Sequence, residues 1–214
     1  MNALFSVLVS ILLLSGMTAQ AQGLGREQAA QALTSSDTQV RRDAVSRLGE
    51  VGTMADATLL VNALRDADED VREGAEQAMW RIWARSGDRE VDRLYQVGVA
   101  QMSAGDLRQG IDTFTRIIEL KPDFAEGWNK RATLYFLAGD FRKSLADCDE
   151  VMKRNPYHFG ALAGYSQIYV RMEYYDRALD YARRALKINP NMDGIRRNAD
   201  QIERLLEQRR KQMI

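Results

Sequence analysis

The sequence predicts an all-α fold, an α-solenoid of helix pairs stacked one on the next, and three observations lead there. The only three prolines, Pro122, Pro156 and Pro190, each stand 34 residues from the next. A fixed period in the range of roughly 20 to 50 residues marks a chain built of repeated helical or β units. The steps Gly105-Asp106 and Gly139-Asp140 are also 34 residues apart and interrupt amphipathic stretches, where a helix must end and turn back. Fifteen Gly and three Pro in 214 residues, with 28% of the chain charged, favour helix over a turn-rich β fold.

The N-terminal elements come first. Residues 1–25 carry no charged side chain, and Ala3 to Leu14 is an apolar run followed by Ala19-Gln20-Ala21. That run is short for a ~30 Å hydrocarbon core, and with a small-x-small step behind it residues 1–21 read as a signal peptide. Its leading stretch lacks Lys and Arg, so an uncleaved membrane anchor stays as the alternative. No Cys stands near the cleavage step, which argues against a lipid anchor. Export is the expected fate, to the periplasm of a Gram-negative cell, with no stable membrane span after cleavage.

Residues 22–88 hold a second, weaker period. Asp37-Thr38-Gln39-Val40-Arg41-Arg42-Asp43-Ala44 recurs 31 residues later as Asp68-Glu69-Asp70-Val71-Arg72-Glu73-Gly74-Ala75. Between the copies, Leu59 to Leu64 supplies a second helix, so the segment holds one full unit and the opening helix of another. The join to the next segment, Ser86-Gly87-Asp88, is short and has no Pro/Ser-rich linker, which predicts one continuous solenoid.

Residues 89–214 hold three units at about 91–124, 125–158 and 159–192, followed by a last helix over 193–213. In the middle unit Trp128, Tyr135, Gly139 and Phe141 are the landmarks. Gly98, Gly105, Phe114 and Pro122 stand in phase in the first unit, and Tyr169, Tyr175, Ala178, Ala182 and Pro190 in the last. Small residues at Gly98, Ala132 and Ala178 predict close approach of paired helices. Pro is predicted to stop one helix and to suit the start of the next. Glu173 replaces the turn glycine in the last unit, so a differently shaped corner is expected there. The final helix carries Ile195, Ile202, Leu205 and Leu206 on one face and Arg209, Arg210 and Lys211 at its end, which suits the helix dipole.

On these landmarks residues 91–190 resemble tetratricopeptide repeats, and residues 28–86 resemble short HEAT-like repeats. The last helix looks like the cap that closes such arrays. The stretch from Asn155 to Val170 is also similar to exported bacterial repeat proteins of undefined role. The tetratricopeptide resemblance implies a concave groove lined by the first helix of each unit. In this chain the implied lining is Asp92, Tyr95, Val99, Met102 and Ser103; then Glu126, Asn129, Thr133, Phe136 and Leu137; then Gly160, Ala163, Gln167, Val170 and Arg171. Relatives that clamp a chaperone's terminal carboxylate use Lys, Asn and Arg at places held here by Tyr95, Val99, Lys130, Gly160 and Gly164, so a charged-tail clamp is not expected. Tyr95 and Phe136 are expected to be the large apolar groups, Asn129 and Gln167 the orienting amides, and Gly160, Ala163 and Gly164 a low strip for a partner backbone. An extended peptide or amphipathic helix fits such a lining.

Other function classes find less support. Thirty basic and thirty acidic residues leave no net charge to displace phosphate counterions, so nucleic acid is not the expected partner. Residues 26–90 carry nine basic and thirteen acidic groups and residues 91–214 twenty-one and seventeen, net −4 and +4. Catalysis has only Cys148 and His158 to draw on outside the acids and bases, without a Gly-rich phosphate loop, a Gly-x-Ser-x-Gly elbow or metal spacing. Cys148 is expected to fill core, His158 to start a helix, and Asp147, Asp149 and Glu150 to be solvated. No cofactor, metal or enzyme activity is expected. The expected function is a protein-interaction scaffold. The competing expectations are a self-associating structural module whose groove is filled internally or by a second copy, and a non-catalytic subunit of an envelope enzyme complex.

Overall fold

A computed structural model of the chain describes residues 23–212. Among the described residues are eleven α-helices and one short 3-10 turn, with no strand. They fall into two compact units divided between Ile82 and Trp83. The expected signal peptide over 1–21 lies outside the described residues.

The first unit holds α1 (Arg26–Ala32), α2 (Thr38–Val51), a 3-10 turn (Met54–Asp56), α3 (Ala57–Ala63) and most of α4 (Glu69–Trp83). Its core is aliphatic: Ala44, Val45, Leu48, Leu60, Leu64, Val71, Ala75 and Met79 are buried. The 31-residue period is visible as a repeated backbone contact. Arg41 donates to the carbonyls of Ser35 and Ser36 at 3.0 and 3.4 Å, and Arg72 to those of Asp66 and Ala67, both at 3.0 Å. Each arginine thus satisfies carbonyls left open just ahead of its own helix. Asp37 caps α2 by accepting the Gln39 N–H, and Asp68 accepts the Val71 N–H in α4. Forked pairs tie the unit together: Arg41 to Asp66 and Arg42 to Asp68. Hydrogen bonds from Arg42 hold the Asp68 carboxyl down at about 2.

The second unit runs through α5 (Arg89–Ala104), α6 (Leu107–Leu120), α7 (Ala125–Leu137), α8 (Phe141–Arg154), α9 (Phe159–Arg171), α10 (Tyr175–Ile188) and α11 (Asp193–Gln212). Asp88 opens it by accepting the N–H groups of Glu90 and Val91. The 34-residue period recurs in its hydrogen bonds. The N–H groups of Asp106, Asp140 and Tyr174 reach back to the carbonyls of Gln101, Tyr135 and Tyr169 at 2.9, 2.8 and 2.9 Å. This wide link closes each helix over a left-handed residue. That residue is Gly105 (φ 80°), Gly139 (φ 79°) and then Glu173 (φ 63°). The differently shaped corner expected at Glu173 is therefore corrected: the chain keeps the corner and forces a side-chain-bearing residue into it.

The prolines also act differently from the expectation. Helices α7, α9 and α11 begin at Ala125, Phe159 and Asp193, three residues after Pro122, Pro156 and Pro190. Each proline lies in the turn itself, after an N–H at Lys121, Asn155 or Asn189 has closed the previous helix. Close approach works as expected at Gly98, where a Cβ would stand 2.7 Å from Phe114 Cζ. One cluster of Val91, Tyr95, Phe114, Ile117, Phe124 and Leu134 fills the start of the unit. A second, from Ala132 to Ile202, fills its end and takes in Ile195, Ala199 and Ile202 from α11, which packs on α10.

Candidate functional site

The lining expected of the first two repeats is largely drawn into the interior. Tyr95 is 6% exposed, edge-on to Phe114 and Phe124, and its hydroxyl stands 3.4 Å from Glu126 Oε1. Glu126 is itself only 2% exposed. Its carboxylate accepts from Asn129 Nδ2 at 3.1 Å and from Lys130 Nζ at 3.0 Å, and meets His158 Nε2 at 2.9 Å. Burial alone would raise its pKa, but His158 and Lys130 outweigh it and bring the group to about 2. The same environment pushes the Tyr95 hydroxyl well above its usual range, first by burial and then by the neighbouring carboxylate. Trp83, the first residue of this unit, stacks on His158 with ring centres 4.5 Å apart.

The open part of the lining lies at the other end. A cavity of ≈ 370 Å³ is bounded by Phe136 from α7, by Ser166, Gln167, Val170 and Arg171 from α9, by Tyr175 from α10, and by Asn198, Gln201, Ile202 and Leu205 from α11. Its volume falls at the lower end of known ligand pockets, which run from about 300 Å³ upward. Helical spacing explains the wall from α11: Asn198, Gln201, Ile202 and Leu205 stand at i, i+3, i+4 and i+7 and share one face. Among the described residues the side chains of Gln167, Asn198 and Gln201 have no hydrogen-bond partner within the chain. The site thus combines apolar walls with three amides free to meet a ligand.

The remaining expected residues take varied places. Asp92 accepts from the backbone N–H and hydroxyl of Ser86 at 2.8 and 2.6 Å. Val99 and Met102 pack against the first core cluster, while Ser103 is exposed. Asn129 is engaged by Glu126, and Thr133 donates to the Asn129 carbonyl at 3.0 Å. Leu137 is 55% exposed. Gly160 is half-buried and Ala163 is buried in the second cluster, so Ala163 is core and not part of a low exposed strip. Phe136, Gln167, Val170 and Arg171 are brought together in the cavity. Ser166, Tyr175 and the four α11 residues were not foreseen there; the apolar face of the last helix was the only signal for them.

The residues considered for chemistry are accounted for by packing. Cys148 is 2% exposed, and burial followed by the charges of Asp147 and Asp149 pushes its thiol up to about 12. Asp147, expected on the surface, is instead buried and held by a forked pair with Arg131 at 2.8 Å on both oxygens. Arg131 also donates to Thr115 Oγ1 at 3.0 Å, and burial still keeps the Asp147 carboxyl above the usual range. Among the described residues no group of three or more His, Cys, Asp or Glu is placed to hold a metal, and no helix is long and apolar enough to cross a membrane.

One comparison with known proteins falls on the same end of the chain. The tetratricopeptide repeat family model matches residues 160–192. A TPR repeat-containing protein of Rhizobium etli is 36% identical over 104 residues, which is 49% of this chain and 51% of that protein. The chain therefore spans about half the length of this curated relative. Among solved structures, the Sgt2 TPR domain from Aspergillus fumigatus is similar with a TM-score of 0.55 at 21% identity, over 58% of this chain and 83% of that one. The first TPR of Spaghetti (RPAP3), bound to the HSP90 peptide SRMEEVD, is similar with a TM-score of 0.53 at 20% identity, over 55% of this chain and 93% of that one. At such identities the structural likeness speaks to fold, and it agrees with the helical repeats described above. Residues 160–192 are thus similar to a tetratricopeptide repeat.

Proposed function

We propose that the protein is an exported protein-interaction scaffold, an adaptor in a cell-envelope assembly, which holds a peptide or helical segment against the first helices of its tetratricopeptide array. The observation that carries this reading is the cavity between α7, α9 and α11, with its apolar walls and its three amides that have no partner among the described residues. Free amides beside apolar surface suit a peptide, which offers backbone donors and acceptors at regular intervals with side chains between them. Export rests on the apolar run from Ala3 to Leu14 and the Ala19-Gln20-Ala21 step. A HEAT-like nature for the first unit is supported by the contacts of Arg41 and Arg72, each of which reaches the carbonyls five and six residues before it.

The HSP90 peptide belongs to the Spaghetti structure, and the residues here do not favour the same ligand. Of the five clamp places only Lys130 is cationic, and it stands 3.0 Å from Glu126. An array of dodecapeptides covering envelope proteins, probed with the full chain and with Phe136→Ala and Gln201→Ala variants, tests the proposal. Binding weakened by both variants is expected, and binding untouched by either would remove the cavity from the function. Self-association is a second reading, favoured by Leu137, which stands exposed beside Phe136. Sedimentation velocity across concentrations separates the two, since a scaffold awaiting its partner keeps one mass throughout.

A further inference from the structure

The charge of the cavity is one-sided. Arg171 is the only charged residue in its lining, which contains no Asp or Glu. The Arg171 guanidinium lies 5.8 Å from the centre of the Phe141 ring. A second guanidinium, of Arg209, lies 4.6 Å from the ring centre of Tyr175, itself part of the lining. Both side chains are exposed, and among the described residues neither is paired with a carboxylate. Aromatic faces hold a guanidinium in position through its charge while leaving its N–H edge open. Contrast Arg131, whose fork is filled by both oxygens of Asp147.

Resting on the peptide-binding reading above, we infer that this cavity recognises a large apolar side chain flanked by a carboxylate. The apolar side chain lies between Phe136, Val170, Ile202 and Leu205. The amides of Gln167 and Gln201 meet the neighbouring backbone, and the carboxylate meets the open forks of Arg171 and Arg209. A guanidinium presents two parallel donors that match the two oxygens of a carboxylate, and that geometry favours it over a neutral amide. Neither arginine occupies a place used by the chaperone-tail clamp; one closes α9 and the other stands near the end of the capping helix. The carboxylate is that of an Asp or Glu side chain next to the apolar residue, and a chain terminus is the competing source that the test separates.

Fluorescence anisotropy with the full chain tests this. The probes are labelled dodecapeptides with one central Trp followed by two Glu, by two Gln or by two Lys. A further pair places the Trp next to the last residue, with the terminus either a free acid or an amide. Glu peptides are expected to bind about tenfold more tightly than Gln peptides, with Lys peptides weaker still, and the advantage should shrink as salt rises. Preference for the free acid over the amide would identify the terminus as the better source, and preference for internal Glu the side chain. Arg171→Gln and Arg209→Gln should each cut the Glu-over-Gln ratio about threefold, and the double variant should abolish it. Both positions are on the surface, so folding is not at stake, and circular dichroism of the variants checks that. Equal binding of the Glu, Gln and Lys series, or an unchanged ratio in the double variant, overturns the inference while leaving apolar peptide binding intact. Failure of every series to bind overturns it together with the peptide-binding reading.

Discussion

His158 Nε2 lies 2.9 Å from Glu126 Oε2, while Nδ1 of the same ring accepts the backbone N–H of Ala161 at 3.0 Å. Because Nδ1 accepts a backbone N–H, the N–H of the ring is on Nε2 and points at the carboxylate. One side chain thereby caps α9 and satisfies a buried charge on α7. An unfolded glutamate titrates near 4.5 and this one near 2, so the unfolded chain holds more protons between those values. Stability from Glu126 is therefore complete above about pH 5 and is lost as pH falls toward 2. Glu126→Gln should flatten the pH dependence of urea unfolding in that window by on the order of 3 kcal/mol. His158→Ala also forfeits the stack on Trp83, and should lower stability at neutral pH by about 3 kcal/mol.

At the third corner a non-glycine residue holds a left-handed conformation that costs roughly 1–2 kcal/mol for an L side chain. Glu173→Gly is expected to raise the unfolding free energy by about 1 kcal/mol, offset in part by the looser unfolded chain. Glu173→Ala keeps the same strain and should bring no such gain. Paired urea titrations of the two variants give the comparison.

The contact of Gly98 with Phe114 sets the separation of α5 and α6. A methyl at Gly98 would meet Phe114 Cζ at 2.7 Å and its Cε2 at 2.8 Å, and Phe114 is fully buried with no room to retreat. Gly98→Ala should cost about 1–3 kcal/mol. Phe114→Leu should be milder in the Gly98→Ala background than in the parent, a coupling that a double-mutant cycle measures.

How far these features were readable from the sequence depends on how local their causes are. The period of the prolines and glycines marks where each helix must end, and the helices stand accordingly. The sign of φ at Glu173 is set by the hydrogen bonds of the corner, not by the residue, so a missing glycine was misleading. The place of a residue within a repeat tells which side of a helix it occupies, but not what closes over it. Tyr95 and Glu126 were expected to line a groove, yet His158, thirty-two residues beyond Glu126, covers the acid from the following turn. Asp147 was expected to be solvated beside Asp149 and Glu150 because Arg131, its partner, sits sixteen residues back on the facing helix. The cavity took four of its ten lining residues from α11, which lies beyond the last period and so had no register to borrow.

Cys148 offers a test of core integrity without mutation. Its thiol is buried and pushed up to about 12, so little thiolate exists at neutral pH. An aromatic disulfide reagent should react with the native protein only at the rate of opening, and stoichiometrically once urea unfolds it. Rapid labelling of the native chain would show that the α8–α9 core breathes far more than its packing implies.

The central claim, that the cavity between α7, α9 and α11 holds a peptide, is tested most directly by methyl NMR. A chain labelled at its Ile, Leu and Val methyls is titrated with the tightest dodecapeptide from the Glu series. The account predicts shifts that saturate and concentrate at Val170, Ile202 and Leu205, with Leu48, Leu60 and Leu64 of the first unit unmoved. Shifts centred away from those three residues, or none at saturating peptide, would contradict it.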